Sequence, residues 1–155
     1  MKIRLLIKQN LLVEVHLDDD LKMKNAGIQS YETFVGFIED GKVVENGKFS
    51  RTTTKHMNEI RSITGLPGES SKDRKLFWWL PYGVRIPYED SISSEASSSI
   101  LRVLSSGKTF IEAVASLDLI KKKDNRIIEE VIEDEDLRLG LRKYRNVKKN
   151  AFALL

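Results

Sequence analysis

The chain has 155 residues, 41% of them hydrophobic and 32% charged, with 26 basic and 23 acidic side chains and a formal net charge of +3. That is enough apolar material for one ordinary core. The absence of cysteine removes disulfides, thiolate chemistry and cysteine-ligated zinc. The two histidines lie far apart in sequence, so no metal site and no cofactor are expected. No window has the apolar length to cross a bilayer, and Met1-Lys2-Ile3-Arg4 has its charges inside an alternating apolar run, without a signal-peptide core or a small-residue cleavage site. A protein with no membrane association, in a reducing cytoplasm, is the expectation.

Residues 3–7 and 11–17 read as two strands joined by the turn Lys8-Gln9-Asn10. In the second, Val13, Val15 and Leu17 alternate with Leu12, Glu14 and His16, which predicts one apolar and one mostly polar face, with His16 toward solvent. Asp18-Asp19-Asp20 has three carboxylates but lacks the alternating ligands and distal acid of a calcium loop, so a solvated loop is expected. Residues 21–30 read as an irregular linker through Asn25-Ala26-Gly27. Residues 31–38 are aromatic and β-branched, as strands are, and Asp40-Gly41 is a hairpin signal because glycine accepts the positive φ of a primed turn. Residues 42–44 return, Asn46-Gly47 signals a second turn, and residues 48–52 make a third strand of a meander. Five strands with short connections predict an antiparallel sheet.

The chain then turns into a helix. Thr54 is the expected cap, Met57, Ile60 and Ile63 fall at helical spacing, and Gly65 with Pro67 ends the element. The polar cluster Thr52, Thr53, Thr54, Lys55 and His56 at the helix start suits an anion, since unpaired N–H groups point outward there. The alternative is an ordinary cap with its flanking residues. This joint also carries a family likeness. Ser30-Tyr31-Glu32-Thr33-Phe34-Val35, Asp40-Gly41-Lys42 and Lys48-Phe49-Ser50-Arg51-Thr52-Thr53-Thr54-Lys55-His56 resemble a recurring domain of small uncharacterised bacteriophage proteins, over residues 30–65. The resemblance implies a phage or mobile-element origin, hence a bacterial host cytoplasm, and no activity.

Residues 65–73 read as a loop without the Gly-Lys-Ser or Gly-Lys-Thr of a phosphate-binding loop. The stretch 74–88 holds both tryptophans. Arg74, Lys75 and Arg85 flank Trp78, Trp79, Tyr82 and Tyr88, and on a strand Trp78 and Trp79 face opposite sides. Three uses fit: core, a protein interface anchored by aromatics and arginine, or base stacking with phosphate neutralisation. A serine-rich stretch follows. Ser93 or Ser94 starts a helix through Leu104 with Ala96, Ile100, Val103 and Leu104 on one side, and Ser105-Ser106-Gly107 stops it. Thr109 and Glu112 form a capping box. From Thr109 the text resembles the start of a helix-turn-helix with Lys121, Lys122 and Lys123 entering its second helix. Asp124 stands where that motif has an apolar anchor, and acids follow at 129–136. The basic run 138–149 and the apolar Phe152, Leu154 and Leu155 close the chain, the last three expected to dock on the sheet or on a partner chain, the second a route to self-association.

The expected architecture is therefore α+β: residues 1–90 a sheet with a packed helix, residues 91–155 a helical region laid on it. No catalytic grouping is legible. The favoured reading is a non-enzymatic accessory or inhibitor that grips a host or defence protein. The second is a basic nucleic-acid binder using Arg74, Arg85 and the lysine run. Trp78, Trp79, Tyr82, Lys55 and His56 complete the candidate contacts.

Overall fold

The computed structural model describes residues 1–46, 50–70, 85–117 and 120–132. Among them are a six-stranded sheet in the order β1-β2-β3-β4-β5-β6 and four helices. The strands are β1 (Lys2–Lys8), β2 (Leu11–Leu17), β3 (Met23–Ser30), β4 (Thr33–Glu39), β5 (Lys42–Glu45) and β6 (Gly68–Ser70); the helices are α1 (Arg51–Thr64), α2 (Ser94–Ser105), α3 (Phe110–Ala115) and α4 (Lys122–Val131). The chain is α+β, a mostly antiparallel sheet followed by helices.

Three elements differ from the sequence reading. The expected linker 21–30 contains β3, which pairs with β2 on one side and β4 on the other. Asn25, Ala26 and Gly27 have low strand propensity, but propensity is outweighed when both neighbours supply a ladder. Of the expected third meander strand, residues 48–52, Lys48 and Phe49 lie outside the described residues, and Arg51 and Thr52 already belong to α1. Ser50, not Thr54, is the cap, its side chain accepting from the Thr53 N–H at 3.4 Å; Thr54 sits in the first turn and donates to the Ser50 carbonyl. The expected loop after Pro67 contains β6, which runs parallel to β5. A parallel neighbour needs a long crossover, and α1 is that crossover.

The hairpins behave as their residues dictate. Asp40 and Gly41 both take positive φ, 52° and 70°, joining β4 to β5 in a primed turn. Gly65 takes φ 68° and its N–H closes on the Arg61 carbonyl, ending α1.

The core lies on one sheet face. Ile3, Leu5, Val13, Val15, Ile28 and Ile38 meet Met57 and Ile60 of α1, Ile100, Leu101 and Leu104 of α2, and Ile128 of α4. The other face is not the polar surface expected of β2. Leu12, Phe37 and Val44 are fully buried, and Glu14 nearly so. The sheet and the helical part share this core. They are also joined through the backbone, where Ile92 pairs with β1 by Leu6 N–H to the Ile92 carbonyl and Ile92 N–H to the Arg4 carbonyl, at 3.1 and 2.9 Å.

The helix-turn-helix expectation meets a specific obstacle. Asp124, 1% exposed, turns inward from the first turn of α4 and accepts from the Ser93 N–H at 2.9 Å and from the Ser93 hydroxyl. It serves as the N-terminal cap of α2, whose own Ser93 side chain makes no capping bond. An apolar anchor there would leave the Ser93 N–H without this acceptor. The capping box of Thr109 and Glu112 forms as expected.

Candidate functional site

Two turns meet at one end of the sheet, the β1–β2 turn at Asn10 and the β3–β4 turn at Tyr31 and Glu32. Tyr31 has φ 56°, a conformation that is uncommon for a bulky side chain and needs support from its surroundings. The support is visible on both sides of the residue. Its N–H donates to the Asn10 carbonyl at 2.8 Å, and its carbonyl accepts from Gln29 Nε2 at 3.3 Å and from the Tyr88 hydroxyl. Gln29 is buried and also grips the returning chain, donating to the Ile86 carbonyl at 3.0 Å and accepting the Ile86 N–H at 2.7 Å. Tyr31 as a whole is left 49% exposed.

Beneath that ring lies His56, with ring centroids 5.9 Å apart and planes tilted by 32°. His56 Nδ1 is 2.6 Å from the Ser30 hydroxyl. Burial, with Lys8 adding to it and Glu59 opposing, holds the imidazole below its ordinary pKa, so the ring is neutral at pH 7. Lys8 and Glu59 form an ion pair beside it. A serine beside a histidine invites an acyl-transfer reading. Here Ser30 and His56 are 2% and 4% exposed, so the pair has no face from which a substrate carbonyl could reach the hydroxyl. It is a satisfied polar contact between β3 and α1 that holds the floor under Tyr31.

Around Tyr31 the rim is polar. Asn10, Glu32, Thr33, Arg85 and Tyr88 enclose an open depression of about 590 Å³, and Arg85 lies 3.4 Å from Glu32 with both side chains exposed. Exposed aromatic, tyrosine hydroxyl and arginine are side chains enriched in protein interfaces.

The expected site residues separate in space. Arg85 joins this depression. His56 lies beside Tyr31 and is buried. Thr53 and His56 face the core while Thr52, Thr54 and Lys55 are exposed, so the helix turn divides the expected anion cluster between two faces. Lys121 pairs with Glu95 at 2.9 Å, which pulls the Glu95 carboxyl down to about 2 and raises the lysine, while Lys122 and Lys123 are exposed at the start of α4. His16, expected in solvent, is half-buried 3.4 Å from Glu14; that hydrogen bond, with Lys2 and Arg4 adding to it against burial, lowers the Glu14 pKa. Asp18 closes its own turn by accepting from the Asp20 and Lys22 N–H groups, and no metal-binding group of side chains occurs among the described residues. No helix of the described residues is long and apolar enough to cross a membrane. Arg74, Lys75, Trp78, Trp79, Tyr82, the acidic and basic blocks 133–149 and the terminal Phe152, Leu154 and Leu155 lie outside the described residues. Sequence reading missed the meeting of Tyr31 with His56, which lie far apart in the chain.

Residues 8–77 match the model of a family of unknown function (DUF8033). The matched stretch holds Lys8, Asn10, Ser30, Tyr31, Glu32, His56 and Glu59, the sheet and helix side of the depression. No curated protein and no solved structure matches the chain.

Proposed function

We propose that this chain is a non-enzymatic binding protein that docks another protein through Tyr31, and that it works as an accessory or inhibitor of that partner. The observation that carries the reading is the exposed Tyr31 ring on a backbone held in an unfavourable conformation by its neighbours. Ordering a side chain on binding costs about 0.5–1.5 kcal/mol; a ring already fixed by packing on His56 avoids much of that cost. Its rim mixes Glu32 with Arg85, and Lys8 with Glu59 stands beside it. Alternating charge suits a folded protein partner, whereas a phosphate backbone calls for one sign. The host setting, and with it a host or defence protein as partner, rests on the resemblance of residues 30–65 to phage proteins.

The test pairs two measurements. Fluorescence anisotropy with single- and double-stranded oligonucleotides, at low and physiological salt, should show no binding. Affinity capture from bacterial lysate should retain a protein on the wild-type chain that is lost with Tyr31→Ala and with Arg85→Glu, both checked for folding by circular dichroism. Micromolar oligonucleotide binding that weakens steeply with salt would transfer the function to nucleic acid, with Lys122 and Lys123 as the first residues to change.

A further inference from the structure

Two tyrosines share the depression at the end of the sheet: Tyr88 lines it beside Tyr31, in an opening of about 590 Å³. Both are held in place. Tyr31 packs on His56, and Tyr88 is tied by its hydroxyl, which donates to the Tyr31 carbonyl. The segment that carries Tyr88 is fixed two residues earlier, where Gln29 accepts the Ile86 N–H and donates to the Ile86 carbonyl.

The polar groups of the depression are open to a ligand. Tyr31 and Thr33 are exposed and Asn10 is half-buried. The Asn10 side chain, the Thr33 hydroxyl and the Tyr31 hydroxyl make no hydrogen bond among the described residues, and each is able to donate one. The charges in the lining are Glu32 and Arg85, which face each other at 3.4 Å and cancel. A carboxylate entering here would meet Glu32, and an ammonium would meet Arg85. A neutral ligand rich in acceptors meets neither conflict. An ordinary extended peptide brings N–H groups as well as carbonyls, and Glu32, the one dedicated acceptor in the lining, is engaged by Arg85.

We propose, on the reading of Tyr31 as the docking residue, that this depression takes a proline-rich segment of the partner in the polyproline II conformation. Such a segment has no internal hydrogen bonds, and its prolines have no N–H that needs an acceptor. Its proline rings lie on Tyr31 and Tyr88. Its carbonyls accept from the Asn10 amide, the Thr33 hydroxyl and Arg85, whose five N–H groups serve a carbonyl while keeping Glu32. Aromatic-lined grooves hold proline-rich peptides by this chemistry, and a backbone already set in its bound conformation loses little entropy on docking.

The experiment is titration of the full, isotope-labelled chain with decaproline, read by NMR on the Asn10 side-chain amide and the Tyr31 and Thr33 backbone amides. A glycine-serine peptide and a polyglutamate peptide of the same length are the comparisons. Expected is a saturable shift of these signals with decaproline and no comparable shift with either other peptide. Tyr31→Ala, its fold checked by circular dichroism, should weaken decaproline binding by about tenfold or more. Arg85→Ala, at an exposed position away from the core, should weaken it by about threefold, the loss of one hydrogen bond. The proposal is overturned if decaproline moves none of these signals, if the glycine-serine or polyglutamate peptide moves them as far, or if either variant binds decaproline undiminished. Lysate capture that still depends on Tyr31 would then leave the docking reading standing, with a different kind of partner segment.

Discussion

Replacing Asp124 by alanine should cost far more than a change on a ten-residue surface helix normally does. The carboxylate is 1% exposed and accepts from both the N–H and the hydroxyl of Ser93, across from α4 to the start of α2. Hydrogen bonds to an ionised acceptor contribute about 1.5–3 kcal/mol each, and loss of an N-terminal cap costs about 1 kcal/mol. Relief of the buried charge returns part of this, leaving a net loss of about 2–3 kcal/mol. With a urea slope of about 1.5 kcal/mol/M, the unfolding midpoint should fall by about 1.3–2 M at unchanged slope. Asp124→Asn keeps one acceptor oxygen and should lose about half as much. Asp124→Leu, which restores the apolar residue of a helix-turn-helix, should do no better than alanine. A loss below about 0.5 kcal/mol in the alanine variant would refute the reasoning and show that the end of α2 is closed by something else.

Gly36→Ala should be equally damaging for a different reason: an added methyl would lie 2.4 Å from the Val44 carbonyl oxygen and 2.8 Å from Met57 Cε. Met57 can move but the ladder carbonyl cannot, so a loss of about 2–3 kcal/mol is expected, and Met57→Ala in the same chain should not rescue it. Stability should depend on pH through His56. Its folded pKa lies below the ordinary 6.5, so the unfolded chain binds more protons between the two values; stability is full above about 6.5 and falls as pH drops from there toward the folded value. Urea midpoints at about pH 7.5, 6.5 and 5.5 should show the decline, His56→Gln should flatten it, and a midpoint constant in the wild type across that span would contradict the assignment. Below the ordinary carboxyl value of 4.5 a further loss is expected as Glu14 takes up its proton. Glu95→Gln should leave the unfolding midpoint unchanged despite the low pKa, because the Glu95–Lys121 pair is exposed on both sides.

Local signals were legible and distant partners were not. The turn at Asp40-Gly41, the apolar stripe Met57, Ile60 and Ile63, the stop at Gly65, the helix from Ser94 and the capping box at Thr109 are all written within a few neighbouring residues, and all form. β3 was illegible because its stability comes from strands on either side, while its own Asn-Ala-Gly run suggests a linker. β6 has three residues, too few for a period. Ser50 was overlooked as a cap because Thr54, four residues on, offers the same chemistry. The candidate site was the least legible part. Tyr31 and His56 are adjacent only because β3 and α1 pack together.

The backbone pairing of Ile92 with β1 has a consequence for how the molecule behaves in company. β1 is the first strand of the sheet, and an outer strand offers its free N–H and carbonyl groups to any extended chain that comes by. Ile92 occupies the middle of that row, taking the Leu6 N–H and the Arg4 carbonyl, while Lys2 and Lys8 place charge at either end. The segment entering α2 therefore acts as a stopper that keeps copies from zipping together edge to edge. Ile92→Pro, which removes the N–H that holds the stopper in place, should convert a well-behaved chain into one that self-associates as its concentration rises.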